Sequence, residues 1–71
     1  MTVREDDDKV EFEDVTITDE TLGGAVWVRG IVPLPVSVPK SCIHDDSEIW
    51  KAGERGTISI KRWFAEKQGW V

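Results

Sequence analysis

Cys42 and His44 stand two residues apart, a spacing that puts both side chains on one face of a strand. A thiolate–imidazole pair is the smallest nucleophilic unit a short chain can carry. Nothing nearby in the sequence marks a third group to orient the imidazole, so Cys42 reads as a small buried hydrophobe and His44 as an exposed or capping residue. His44, Asp45, Asp46 and Glu48 form the densest run of metal-capable side chains. One imidazole with carboxylates falls short of a closed zinc set, and the spacing does not reproduce a calcium loop, so turn formation is the expected role. The glycines spell neither a dinucleotide fingerprint nor a phosphate loop. The expectation is no catalytic residue, no cofactor and no metal.

Two other groupings suit recognition. Trp50, Lys51, Arg55, Lys61, Arg62, Trp63, Lys67 and Trp70 interleave bases with aromatics, a pattern that lets nucleobases stack while phosphates meet cations. Within it Trp50, Lys51, Arg55, Lys61 and Arg62 are the candidate single-strand contacts, since Trp63 and Trp70 stand where a short docked helix needs apolar anchors. The acids are concentrated at the other end of the chain. Nine of the fourteen lie in residues 1–24, which carry net −7, whereas residues 25–71 carry net +2. Glu11, Glu13 and Asp14, with the aromatic Trp27, are the candidate contacts to a protein partner of opposite charge.

These residues must be positioned by a chain of 71 residues with formal net charge −5. Such a length supports one small core and no separate substrate domain, which excludes most enzyme architectures. A lone cysteine rules out an internal disulfide, so packing must hold the fold, with four Trp and two Phe as anchors. No apolar run approaches the roughly 20 residues of a bilayer span, and the start Met1 to Asp8 lacks the basic-then-apolar layout of a leader; a soluble, cytoplasmic protein without membrane contact is expected.

Residues 1–8 read as a flexible acidic tail, and residues 9–71 as a single small β domain. From Lys9 to Thr18 the apolar positions change parity between Phe12 and Val15, which predicts a strand with a bulge at Glu13-Asp14. Asp19 to Gly24 is turn material, and Ala25 to Arg29 predicts an antiparallel return strand. Pro33, Pro35 and Pro39 confine the run from Val32 to an edge strand or an extended crossing, with Val36 and Val38 pointing inward. Glu48-Ile49-Trp50 reads as a short strand. Lys51 to Gly56 reads as a hairpin connection with Gly56 left-handed, and Thr57 to Ile60 as the next strand. Arg62 to Gln68 is helix material stopped by Gly69-Trp70. The predicted fold is mainly β: a small antiparallel curved sheet or SH3/OB-like barrel of four to five short strands with a short C-terminal helix.

Ala25-Val26-Trp27-Val28, Val38-Pro39-Lys40-Ser41, Asp46 to Trp50, Gly53 to Thr57 and Arg62 to Trp70 together resemble small phage and bacterial proteins of uncharacterised function. In those, a hairpin ends in a Pro-Lys-Ser turn, followed by a Gly-rich hairpin and a terminal Trp-containing helix. The likeness spans residues 16–71. It implies a common small β fold and no activity.

The expected function is that of a non-catalytic interaction module, docking on a larger host or phage protein through the acidic strand face or an exposed aromatic patch. The alternative is a weak single-stranded nucleic-acid binder. The edge strand adds a route to dimers or strand addition.

Overall fold

The computed structural model describes residues 3–71. Among the described residues five antiparallel strands, β1 (Val3–Glu5), β2 (Lys9–Glu20), β3 (Ala25–Arg29), β4 (Val36–Pro39) and β5 (Arg55–Lys61), precede one α-helix, α1 (Arg62–Gln68). The twelve-residue β2 is the spine. One of its edges pairs with β5; the other pairs with β1 at Val10 to Phe12 and with β3 at Thr16 to Glu20. The sheet runs β1-β2-β3-β4 with β5 attached to β2, so it is curved and open and the barrel alternative does not form. Closure is forestalled because the far edge of β5 is covered by the segment before it. Ile43 bridges Ile60, His44 N–H donates to the Ser59 carbonyl at 2.7 Å, and Glu48 N–H to Thr57 at 3.2 Å.

The parity change along β2 is a bulge, with Asp14 at φ 58° between the Phe12↔Ile58 and Val15↔Gly56 pairs. An Asp tolerates this left-handed conformation better than most side chains. The extra residue lets Val10, Phe12, Val15 and Ile17 all face inward, where they are at most 1% exposed. They pack with Val26, Val28, Val38, Ile43, Ile58 and Ile60 into one core. Burial of this kind stabilises by about 1.5–3 kcal/mol per large aliphatic side chain.

Four local expectations are corrected. The acidic segment is not a free tail from Val3 onward, because Val3–Glu5 pairs with β2 and residues 5–8 are tied to the body of the fold; Met1 and Thr2 lie outside the described residues. Arg62 Nη1 donates to the Asp6 carbonyl at 2.9 Å, Arg62 N–H to the Asp8 carbonyl at 3.0 Å, and the Asp8 carboxylate meets His44 Nε2 at 3.0 Å. Glu48 to Trp50 is irregular rather than a strand: after the single Glu48 N–H bond to Thr57 the backbone leaves the edge of β5, and Trp50 N–H donates to the Glu54 carboxylate instead. Gly56 has the expected positive φ, at 156°, but lies within β5 opposite Val15 rather than in the connection, where Gly53, at φ 90°, takes the turn position. Trp63 is 57% exposed, because its neighbours Phe64 and Ala65 form the buried side of α1.

The helix ends as a Schellman motif. Trp70 N–H donates to the Ala65 carbonyl and Gly69 N–H to Glu66, with Gly69 at φ 78°. This brings Trp70 back onto Phe64 and Phe12 in edge-to-face contacts, with centroids 5.6 and 6.3 Å apart. Among the described residues no helix is long and apolar enough to cross a membrane.

Candidate functional site

The residues first considered for chemistry are not assembled for it. Cys42 is 4% exposed at the end of a short 3₁₀ turn, inside the core. Both nitrogens of His44 are engaged elsewhere. Asp46 N–H donates to Nδ1 at 3.1 Å, which leaves Nε2 to carry the proton toward Asp8. Among the described residues no three His, Cys, Asp or Glu side chains are arranged around a common point for a metal. Lys9 hydrogen-bonds Asp46 at 2.6 Å and holds that carboxyl below the usual carboxylate range.

The five residues proposed for single-strand contact are spread along β5 and the segments at its two ends. Arg55 and Lys61 occupy opposite ends of β5, on the order of 20 Å apart at a strand rise of ~3.3 Å per residue. Arg55 is bound to Asp14 through two guanidinium nitrogens, and Arg62 to Glu5, Glu66 and the Asp6 carbonyl. Trp50 is half-buried against the core, its indole N–H donating to the Ser47 carbonyl at 2.9 Å. Lys51, exposed, and Lys61, half-buried, carry no ion pair among the described residues.

Much of the acidic face is likewise committed internally. Glu11 is half-buried, accepts from Ser59 Oγ at 3.2 Å and lies 3.8 Å from Lys9 Nζ. Asp14 faces Arg55. Glu13, at the bulge, is exposed and free of ion pairs among the described residues. Glu20 accepts from Lys40 Nζ and from Ala52 N–H, and Glu54 accepts from Trp50 and Lys51 N–H at 2.7 Å each. These bonds hold both carboxyls below their usual range and pin the loop from Ser47 to Glu54.

A further surface is the outer face of β2, β3 and β4. Trp27 has opposite parity to the buried Val26 and Val28, so its indole stands outward, 40% exposed. Around it lies a shallow concavity of about 440 Å³ lined by Thr18, Asp19, Trp27, Arg29 and Pro35. Arg29 shares this face by simple alternation along β3, and Pro35, immediately before β4, lines it as well. Asp19 does not, since Val15 and Ile17 with the same parity point inward. A second irregularity between the Ile17↔Val28 and Asp19↔Trp27 pairs turns Asp19 outward, directly opposite the indole. Ser37, opposite Trp27 on β4, is small enough to leave the indole uncovered. Neither Asp19 nor Arg29 makes an ion pair among the described residues; every pair found involves other groups. Of this group the sequence reading singled out Trp27. Arg29 was signalled by its two-residue spacing from Trp27; Asp19 was visible only as one of many acids, because the irregularity that aims it leaves no mark in residue type.

The free edge of β4 beside this concavity is poor in donors. Lys40 N–H donates to the Gly24 carbonyl at 2.9 Å, in register with Val26↔Val38 and Val28↔Val36. By the alternation of antiparallel ladders, the backbone groups of 36 and 38 then point at β3, and those of 35, 37 and 39 point away from it. Positions 35 and 39 are prolines, so Ser37 supplies the one N–H along that stretch. The edge resists strand addition, and contact falls to the face.

Comparisons of this chain with protein-family models, with curated proteins and with solved structures return no match.

Proposed function

We infer that this chain is a non-catalytic interaction module that docks on a larger host or phage protein through the outer face of β2, β3 and β4, centred on Trp27. The observation that carries the reading is an exposed indole in a shallow groove with an unpaired acid opposite it and an unpaired base two residues along its strand. Aromatic anchors of this kind contribute disproportionately to interfaces. The aromatic patch is favoured over the acidic strand face because Glu11 and Asp14 already have partners within the fold.

Trp27→Ser tests this against Trp63→Ser, which removes the other strongly exposed indole from α1. Both variants should melt within a few degrees of the parent, as neither ring is buried. Partner capture from host lysate should be lost with Trp27→Ser and retained with Trp63→Ser. Undiminished capture by Trp27→Ser, or selective loss with Trp63→Ser, overturns the assignment.

A further inference from the structure

We propose that the occupant of the Trp27 groove is an extended peptide segment carrying a cationic and an acidic side chain two residues apart, the cation seated on Trp27 beside Asp19 and the acid meeting Arg29. The inference rests on the docking reading above and adds the chemistry of the partner. An indole face is the best side-chain platform for a cation, and a free carboxylate directly across the ladder adds charge to the same position. Arg29 lies two residues along β3 on the same face, ~6.6–6.8 Å away by strand rise. That distance is also the spacing of alternate side chains in an extended segment lying across the face along β3. The groove therefore presents minus and plus at the pitch at which an extended peptide presents plus and minus. A run of like charges would satisfy one end and be repelled at the other. Thr18 and Pro35 complete the lining with small, uncharged walls, and Ser37 leaves the approach to the indole open. The chain's net charge of −5 further favours the approach of the cationic end.

The test uses four capped synthetic octapeptides with central Arg-Ser-Glu, Arg-Ser-Arg, Glu-Ser-Glu or Gln-Ser-Gln and Gly-Ser flanks, titrated into isotope-labelled protein at low salt and followed by amide and indole NMR shifts. The Arg-Ser-Glu peptide should shift the Trp27 indole together with Asp19 and Arg29. It should bind about five- to tenfold more tightly than Gln-Ser-Gln, the combined effect of one cation–π contact and one or two exposed ion pairs. Asp19→Asn should erase most of that advantage, and raised salt should narrow it. Equal binding of Arg-Ser-Glu and Gln-Ser-Gln at Trp27 overturns the charge pattern while leaving the face a docking surface. No shift at Trp27 with any peptide, or larger shifts there with a short oligonucleotide, overturns the peptide occupant; the Trp27→Ser capture experiment separately decides whether the face docks at all.

Discussion

Gly30 joins the end of β3 to the first bulge of β2, and replacing it with alanine tests whether the sheet bends as described. Its φ is 111°, and a Cβ built there would lie 3.1 Å from Val15 Cγ1 and 3.2 Å from both the Asp14 carbonyl oxygen and Val15 Cα. Two of those three neighbours are backbone atoms, which cannot rotate away. Backbone strain at such a φ costs about 1–3 kcal/mol, and forcing the neighbours apart costs about 1–3 kcal/mol more. Gly53→Ala is the control: φ is 90°, but nothing lies within 4 Å of the added carbon, so strain alone operates, at about 1–2 kcal/mol. The entropy alanine removes from the unfolded chain is common to both variants and cancels in the comparison. Against a total stability on the order of 4–10 kcal/mol for this length, Gly30→Ala removes a large share. Urea unfolding monitored by Trp fluorescence, with m-values required to agree, gives the difference directly. Gly30→Ala should be less stable than Gly53→Ala by about 1–3 kcal/mol. A difference below about 0.5 kcal/mol would refute the close approach of Gly30 to the bulge, and with it the path that carries Arg29 alongside Thr16.

Acid should loosen the loop from Ser47 to Glu54. Glu20 and Glu54 have folded pKa values below their ordinary 4.5, so their contribution is fully present above that value and is lost as pH falls through the lower folded ones; Glu54→Gln should flatten the acid limb of a stability–pH profile, and an unchanged limb would contradict the capping role. Trp70→Ala should cost about 2 kcal/mol, because it removes both edge-to-face contacts and the apolar end of the Schellman motif, whereas Trp63→Ala should cost under about 1 kcal/mol; similar melting curves would contradict that ranking. The Cys42 thiol should react slowly with a disulfide reagent in native buffer and rapidly in denaturant, and fast native labelling would show that the 3₁₀ turn opens.

The alternation of apolar residues already specified β2 to β5, since a period of two can bury one face only in extended backbone. It carried as far as the bulge: Phe12 and Val15 cannot both face the core without one extra residue between them. The helix stop at Gly69-Trp70 was equally legible, because a left-handed terminator followed by an apolar residue is a local pattern. These features depend on neighbours in the chain, and residue types report neighbours well.

What the tertiary structure alone decided depends on residues far apart. Val3–Glu5 is a strand because β2 offers it an edge and because Arg62 and His44 reach back to Asp6 and Asp8. Composition, which sees only a charge run, reads the same residues as a tail. The sheet stays open because Ile43 to Glu48 covers the edge of β5 that a barrel would need. The division of charges into spent and free was settled in the same way. Arg55 and Asp14 are forty-one residues apart and neutralise each other, while Asp19 and Arg29 are left unpaired beside Trp27 by an irregularity at residues 17–19. A sequence states how many charges a protein has and on which stretch; only pairing across strands determines which remain available to a partner, because Coulombic attraction acts over ångströms in space and is indifferent to separation along the chain.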